Sequence, residues 1–204
     1  MENLRLIAGL GNPGSRYERT RHNAGFLLVE RLAKLWRASW SLEKKFQARV
    51  ARVERNGLSV MLCQPQTFMN ASGESLGAVV SYYQLALPRL IVAVDDADLP
   101  FGELRLRERG SSGGHHGLES VERHLGSRDF TRQRIGIGRT ADDRREITDY
   151  VLAPFSAEEA ALAGCILDVA AAQIECWLDA GIGKAMSQFN GVINDSGEPS
   201  KGKN

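Results

Sequence analysis

The chain has 204 residues, of which 43% are apolar and 25% charged, and its formal net charge at pH 7 is +1. These proportions are ordinary for a globular protein and exclude a disordered chain or a fibrous repeat. The sequence lacks the run of about 20 apolar residues typical of a membrane helix, and it lacks the pattern of a signal peptide. Its three cysteines form no CxxC pair. The sequence therefore predicts a cytoplasmic protein without disulfides.

The charge is distributed unevenly along the chain. Residues 1–140 contain 21 Lys and Arg against 14 Asp and Glu, a net charge of +7, whereas residues 141–204 contain 5 against 11, a net charge of −6. Scattered solvated charge is one interpretation of this pattern. The other is a basic face that meets a polyanion such as RNA.

The first half of the chain alternates between strand and helix patterns. Apolar runs and β-rich composition predict strands over residues 4–9, 46–54 and 58–65. Apolar side chains at helical spacing predict helices over residues 24–37 and 71–84. Between the second and third strands lies Asn56-Gly57, a dipeptide that strongly favours a hairpin turn.

The second half continues the alternation. Strands are predicted over residues 90–95, 103–107 and 131–138, and helices over residues 117–125 and 157–179. Together these elements predict one α/β domain over residues 1–190, with a mixed sheet and helices on both faces. Residues 191–204 lack apolar periodicity and are predicted to be a flexible polar tail.

The sequence GLGNPG at residues 9–14 matches the GxGxxG pattern of dinucleotide sites, but its context does not. No apolar helical period begins until about residue 24, and no acidic residue ends a second parallel strand at the required distance. We therefore expect these glycines to shape a tight turn that presents Asn12.

A histidine and a carboxylate are the candidates for acid–base chemistry. His22 lies in the polar sequence TRHNAG, directly before a predicted helix. Imidazole titrates near neutral pH and suits a general base, although a lone histidine is more often structural. A carboxylate at a strand end would orient it: Asp95 closes the strand LIVAVD, and Asp96 and Asp98 are alternatives.

Other catalytic centres have weaker signals. His115 and His116 are adjacent, so their side chains diverge, and no HxH, HExxH or Cys/His spacing indicates a metal. No GxSxG motif indicates a serine nucleophile. The remaining mechanism is an attack by water that a histidine assists. Carboxamides would bind the substrate beside it, because Asn12, Asn23 and Asn70 can each donate and accept hydrogen bonds.

Arginines dominate the later strands. The alternation in ELRLR places Arg105 and Arg107 on one face of a strand, and Arg132, Arg134 and Arg139 lie around the last strand. They either keep a sheet face solvated or hold the phosphates of an RNA.

Six motifs together resemble those of bacterial peptidyl-tRNA hydrolases: GLGNPG, RHNAG, PQTFMNASG, DDADLPFGELRLR, GSSGGHHGL and RIGIGR. The resemblance covers residues 4–189. It implies a three-layer α/β domain around a mixed, twisted sheet. It also implies a monomeric esterase without metal or cofactor, which hydrolyses the ester bond between a nascent peptide and the 3′-terminal ribose of peptidyl-tRNA and so recycles tRNA dropped from ribosomes.

The resemblance extends to single residues. His22 resembles the family's catalytic base and Asp95 its orienting carboxylate, while Asn12 and Asn70 resemble its substrate-binding asparagines. Further residues that match the lining of the peptide and active-site cleft are Tyr17, Asn23, Phe68 and Met69. The residues that fall where the family keeps basic side chains facing tRNA are Arg105, Arg107 and Arg134.

One position departs from the family pattern. His116 stands where the family usually has an asparagine that contacts substrate. Imidazole lacks the second N–H of a carboxamide, so we expect altered substrate positioning with the chemistry retained. The Gly/Ser segment 110–114 and the polar segment 141–149 have the composition of a mobile rim.

Three other functions compete with hydrolysis. The first is RNA binding without catalysis, which is the function of organellar splicing relatives of this family. The second is a nucleotide-dependent oxidoreductase, and the third is a purely structural α/β module. The intact set of His22, Asp95, Asn12 and Asn70 favours the enzyme.

Overall fold

A computed structural model describes residues 3–139, 147–193 and 199–200. Its strands are β1 (Leu4–Gly9), β2 (Trp40–Glu43), β3 (Ala48–Arg55), β4 (Leu58–Pro65), β5 (Leu90–Asp96), β6 (Glu103–Arg107), β7 (Thr131–Gly136), β8 (Gly191–Ile193) and β9 (Pro199–Ser200). Its α-helices are α1 (Ala24–Leu35), α2 (Ser72–Tyr83), α3 (His116–Leu125), α4 (Ile147–Val151) and α5 (Ala157–Phe189).

The described strands form one mixed sheet in the order β2-β3-β4-β1-β5-β7-β6-β8-β9. The four central strands, β4, β1, β5 and β7, are parallel, and antiparallel strands extend the sheet on both sides. The carboxyl ends of the central strands therefore meet at one edge of the sheet, where ligands bind in open α/β sheets.

Alternation along the central strands divides the core into two layers. Ile7 and Ile91 face one cluster, which α1 and α5 cover, whereas Leu6 and Val92 face a second cluster, which α2 and α3 cover. Because successive side chains of a strand point to opposite faces, a strand buried on both faces has a continuous apolar run. The predicted three-layer α/β class is confirmed.

The hairpin between β3 and β4 shows how local sequence determines local structure. Asn56 and Gly57 have φ angles of 50° and 76°, and Arg55 pairs with Leu58 across the turn. Both central residues thus have the positive φ that a type I′ turn requires. The position of this predicted hairpin is correct.

The carboxyl-terminal half differs from the sequence prediction in three places. Helix α5 continues past residue 179 to Phe189, with a kink at Gly181, where φ is 81° and ψ is 172°. Residues 191–193, assigned to the tail, pair with β6 as strand β8, and residues 199–200 pair in turn with β8. Of the predicted rim segment 141–149, residues 141–146 lie outside the described residues, and the remainder starts α4.

Helix α5 is long and apolar enough to cross a membrane by length and composition alone. In the structure its residues Ile166, Ala170, Ile174 and Trp177 are buried in the core cluster beneath the sheet. Burying a large apolar side chain such as that of Ile166 or Ile174 contributes roughly 1.5–3 kcal/mol. The apolar character of α5 is therefore accounted for by its packing.

Candidate active site

A cavity of about 480 Å³ opens at the carboxyl edge of the sheet. Segments that follow β1, β4 and β5 supply part of its wall, as the neighbouring parallel strands predict. Its lining includes nine residues near the strand ends and four around α4: Asn12, His22, Phe68, Met69, Asn70, Asp95, His115, His116 and Arg134, with Ile147, Thr148, Val151 and Leu152.

Glycines allow α1 to approach the sheet closely enough to place His22. A Cβ on Gly25 would lie 2.3 Å from the carbonyl oxygen of Ala93, and a Cβ on Gly9 would lie 2.0 Å from the carbonyl oxygen of Gly25. Those distances exclude any side chain at either position. The short 3₁₀ helix Arg21–Asn23 leads directly into α1, so this packing brings its histidine beside β5.

His22 is hydrogen-bonded to Asp95. Its Nδ1 lies 2.9 Å from Oδ1 and 3.1 Å from Oδ2 of the carboxylate, which is 2% exposed. An ionised carboxylate only accepts hydrogen bonds, so Nδ1 carries the proton and Nε2 is the basic nitrogen. Of the three carboxylates that the sequence left open, the structure thus places Asp95 against the histidine.

A second imidazole also contacts Asp95, and sequence reasoning missed it. His115 Nε2 lies 3.1 Å from Asp95 Oδ1, while its Nδ1 accepts a hydrogen bond of 3.2 Å from the backbone N–H of Leu118. Because Nδ1 is an acceptor, the proton is on Nε2, which donates to the carboxylate. The only sequence signal was its position two residues before a predicted helix, close to where a side chain can cap the first turn.

The two imidazoles keep Asp95 ionised. Burial opposes ionisation, but the electrostatic attraction and hydrogen bonds of His22 and His115 outweigh burial, so the pKa of Asp95 lies well below its usual range. The ring nitrogens and the carboxylate of these three residues lie within 4.8 Å of one another, a cluster that is also able to ligate a metal ion. Their mutual hydrogen bonds account for the same arrangement.

Two asparagines form a rigid support beside the histidine. Asn23 accepts a hydrogen bond of 2.8 Å from the backbone N–H of Asn12 and donates one of 3.0 Å to its carbonyl oxygen. The side-chain oxygen of Asn12 accepts from the backbone N–H of Met69 at 2.8 Å. Since that oxygen is engaged, the amide nitrogen of Asn12 is the group that can donate to a molecule in the cavity.

The rim of the cavity is formed by exposed side chains. Phe68 is 59% exposed, and Asn70 is exposed beside it. The side chain of His116 is 77% exposed at the start of α3, with Nδ1 3.1 Å from Glu119 Oε2. Tyr17 is half-buried outside the lining, and its hydroxyl contacts the Arg16 guanidinium.

The predicted arginines divide into two groups. Arg105 and Arg107 lie on one face of β6; the first is 41% exposed and bonded to Glu103 at 2.7 Å, and the second is exposed. Arg134 pairs across from Arg105 in the sheet, but its side chain is only 14% exposed. It donates to Asp96 and to two backbone carbonyls, so it is held within the protein.

Comparison with known proteins agrees with this geometry. Residues 6–198 match the family model for peptidyl-tRNA hydrolase. The chain is 47% identical over 185 residues to a peptidyl-tRNA hydrolase of Carboxydothermus hydrogenoformans, covering 91% of this chain and 97% of the relative. It is 44% identical over 187 residues to the peptidyl-tRNA hydrolase of Bacillus cytotoxicus, covering 92% of this chain and all of the relative.

Solved structures lead to the same family. The crystal structure of peptidyl-tRNA hydrolase from Acinetobacter baumannii superposes with a TM-score of 0.86 at 37% identity, covering 94% of this chain and 97% of that one. A peptidyl-tRNA hydrolase in complex with N-propanol superposes with a TM-score of 0.87 at 36% identity over 98% of both chains. The resemblance drawn from the six motifs is confirmed, and the chain belongs to the peptidyl-tRNA hydrolase family.

Proposed function

We propose that the protein hydrolyses the ester bond between the peptide and the 3′-terminal ribose of peptidyl-tRNA, with His22 as the general base. The observation that carries the mechanism is the contact between His22 Nδ1 and buried Asp95 in the cavity wall. It leaves Nε2 as the nitrogen that accepts a proton from water. Family membership supports the substrate.

The reaction proceeds through a tetrahedral intermediate. The oxygen of water bonds to the ester carbonyl carbon while its proton moves to His22 Nε2. The bond from that carbon to the ribose oxygen then breaks, and the proton on Nε2 passes to the leaving oxygen. The products are a peptide carboxylic acid, which releases its proton to solvent and becomes the carboxylate, and tRNA with a 3′-hydroxyl group.

Carboxamides and arginines bind the parts of the substrate around the ester. The amide of Asn12 or that of Asn70 donates to the developing oxyanion, since both residues line the cavity. Asn23 acts through Asn12, whose backbone it holds on both sides. The residues that receive the peptide are Phe68 and His116 at the rim and Met69 in the wall of the cavity.

Phosphates of the tRNA bind on the outer face of β6. Arg105 and Arg107 are exposed there and point to the same side of the strand. An exposed guanidinium forms two parallel hydrogen bonds to a phosphate. We also propose that the protein acts as a cytoplasmic monomer, because its substrate arises during translation; sedimentation at micromolar concentration tests the monomer.

The test is release of the blocked amino acid from N-acetyl-aminoacyl-tRNA at neutral pH with EDTA present. We expect hydrolysis that unblocked aminoacyl-tRNA does not undergo, and a loss of roughly 10²–10⁴ in kcat for His22→Ala. His124→Ala, an exposed histidine of α3, is the matched control and should retain activity.

Each alternative outcome has a distinct meaning. A near wild-type rate for His22→Ala would remove the general base from the proposal. Loss of activity in EDTA would indicate a metal at the His22, Asp95 and His115 cluster. Salt-sensitive tRNA binding without hydrolysis would favour an RNA-binding protein.

A further inference from the structure

The residue directly before His22 has a buried, charged side chain. Arg21 opens the 3₁₀ helix Arg21–Asn23, and only 7% of its side chain is exposed. Among the described residues, the lining of the active-site cavity includes His22 but not Arg21, so these neighbouring side chains have different surroundings. The guanidinium of Arg21 lies within the protein, where a buried charge requires polar partners.

Those partners lie at the start of α5 and just before it. Arg21 Nη1 donates to the carbonyl oxygen of Pro154 at 2.7 Å, and Nη2 donates to Glu159 Oε2 at 2.5 Å. The same carboxylate oxygen accepts from the backbone N–H of Ser156 at 2.7 Å, as part of the capping box that begins α5. The arginine is thus fastened to the point where α5 begins.

Two aromatic rings hold the same guanidinium from the side of α4. Arg21 Cζ lies 4.6 Å from the ring centroid of Tyr150 and 5.5 Å from that of Phe155. A cation above an aromatic face is attracted by the negative charge of that face. Tyr150 is itself buried, and its hydroxyl donates to the carbonyl oxygen of Ile137, directly after β7, at 2.8 Å. Its ring is therefore fixed between the sheet and the arginine.

The backbone joins the same two parts of the chain. The backbone N–H of Arg21 donates to the carbonyl oxygen of Ala153 at 3.1 Å, and Thr20 forms a β-bridge with Pro154. The 3₁₀ helix that carries His22 is thus attached to the segment that follows α4 through both backbone and side chain.

Helix α4 presents its residues to two different surroundings. Tyr150 packs on Arg21, whereas the other side of the helix forms a wall of the active-site cavity. The residues of α4 that line the cavity are Ile147, Thr148 and Val151. His22 lines the same cavity, so the contacts of Arg21 connect the general base to this wall.

We propose that Arg21 is a positioning residue: it holds α4 against the 3₁₀ helix of His22, so that the wall and the general base enclose the substrate at a fixed width. This inference rests on the proposed function, since it concerns how that substrate is held. A planar guanidinium is required. One ammonium group does not donate to a carboxylate and a carbonyl from a rigid fork while its face lies on a ring.

The substitution Arg21→Lys tests the proposal, since it keeps the charge and removes the planar fork. We expect KM for N-acetyl-aminoacyl-tRNA to rise about 10-fold while kcat stays within about threefold of wild type, because the wall loses its fixed position and the pair of His22 and Asp95 is left intact. The pH dependence of kcat should keep its wild-type form, because it reports the general base in the bound complex.

A second variant changes the partner of the arginine. Glu159→Gln retains the capping box of α5 and removes the charge that faces Arg21. We expect a similar rise in KM, and the double variant should be no worse than the more affected single variant, because both residues act through one contact. Two exposed positions supply matched controls, Glu158→Gln on α5 and Arg37→Lys after the end of α1, and both should retain the wild-type KM.

The position of α4 is measurable without substrate. The chain has four tyrosines, so ¹⁹F NMR of protein containing 3-fluorotyrosine resolves few signals, and Tyr150→Phe assigns one of them. That signal should shift in Arg21→Lys and in Glu159→Gln and stay constant in the two controls. The salt dependence of tRNA binding should equal that of the wild type, because the side chain of Arg21 is buried.

Three results would overturn the inference. The first is a wild-type KM for both variants, with the Tyr150 signal unchanged. The second is a lower midpoint of urea unfolding with wild-type kinetics, which would leave Arg21 a role in stability alone. The third is a rise in KM accompanied by a weaker salt dependence, which would indicate a direct phosphate contact. In each case His22-dependent hydrolysis by the wild type would leave the proposed function standing, so the two failures are distinguishable.

Discussion

At the residue scale, Asp95 is the centre of the electrostatics of the site. Its carboxylate accepts hydrogen bonds from His22 and His115 and is almost fully buried. Burial disfavours the charge, and the two imidazoles outweigh burial, so the pKa of Asp95 is lower in the folded than in the unfolded state. The ionised form therefore contributes to stability, in addition to its proposed role in catalysis.

This linkage predicts acid sensitivity. A depressed folded-state pKa contributes stability that is complete above the unfolded value of about 3.9 and is lost as the pH falls toward the folded value. Below about pH 4, the free energy of unfolding should therefore fall more steeply with decreasing pH in the wild type than in Asp95→Asn, as measured by urea unfolding. Asp98→Asn, at an exposed carboxyl three residues further on, should follow the wild type. Equal slopes for wild type and Asp95→Asn would contradict the prediction.

At the element scale, a buried amide network joins the end of α5 to the sheet. The side chain of Asn190 accepts from the backbone N–H of Leu106 at 2.8 Å and donates to its carbonyl oxygen at 3.1 Å. It thereby continues the pairing of β6 and β8 by one more residue. Gln173 of α5 bonds to the same asparagine and to Gln133 of β7, so these amides connect the helix on both sides of its kink to the sheet.

Removal of the asparagine side chain should destabilise this connection. Asn190→Ala leaves both backbone groups of Leu106, a buried residue, without their side-chain partner. We expect the free energy of unfolding to fall by about 1–3 kcal/mol, the cost of an unsatisfied buried polar group. Chemical denaturation measures this change in the free energy of unfolding. Ser187→Ala, at an exposed position on α5, is the control. Unchanged stability of Asn190→Ala would mean that water replaces the amide.

At the scale of the whole molecule, the uneven charge of the chain is consistent with a polyanionic substrate. Of the 26 Lys and Arg, 21 precede residue 141, and the last 64 residues have a net charge of −6. On the outer face of β6, Arg105 and Arg107 present two cations on the same side of one strand. Neutralising phosphates releases bound counterions, which makes affinity depend on salt.

The number of phosphate contacts is measurable from this dependence. We expect the plot of log Kd against log salt concentration for a tRNA substrate to become shallower by about 0.7–0.9 for each arginine removed. The double variant Arg105→Ala, Arg107→Ala should show twice the change of either single variant. Arg52→Ala, an exposed arginine on β3, is the control and should retain the wild-type slope. A parallel shift of the line without a change in slope would rule out phosphate contacts by these two arginines.

Local sequence was sufficient for much of the fold and part of the site. The hairpin at Asn56-Gly57 follows from the φ angles that these residues tolerate, and the strands follow from apolar runs. The pairing of His22 with a carboxylate of β5 followed from one rule, that polar segments after parallel strands meet at one edge. Residue types, and the order of strands and helices along the chain, can be taken directly from the sequence.

The sequence by itself determined the α/β class, the family and the presence of a histidine–carboxylate pair, because these depend on short-range patterns and residue chemistry. The sequence already named Asp95 as the first candidate, and the tertiary structure gives the reason that it and not Asp96 meets His22: neighbouring strand residues point to opposite faces, and the packing of α1 decides which face meets His22. Only the tertiary structure brought His115 to the same carboxylate and enclosed Arg134. Such contacts join segments distant in the chain, so their geometry is decided by how helices and loops pack on the sheet.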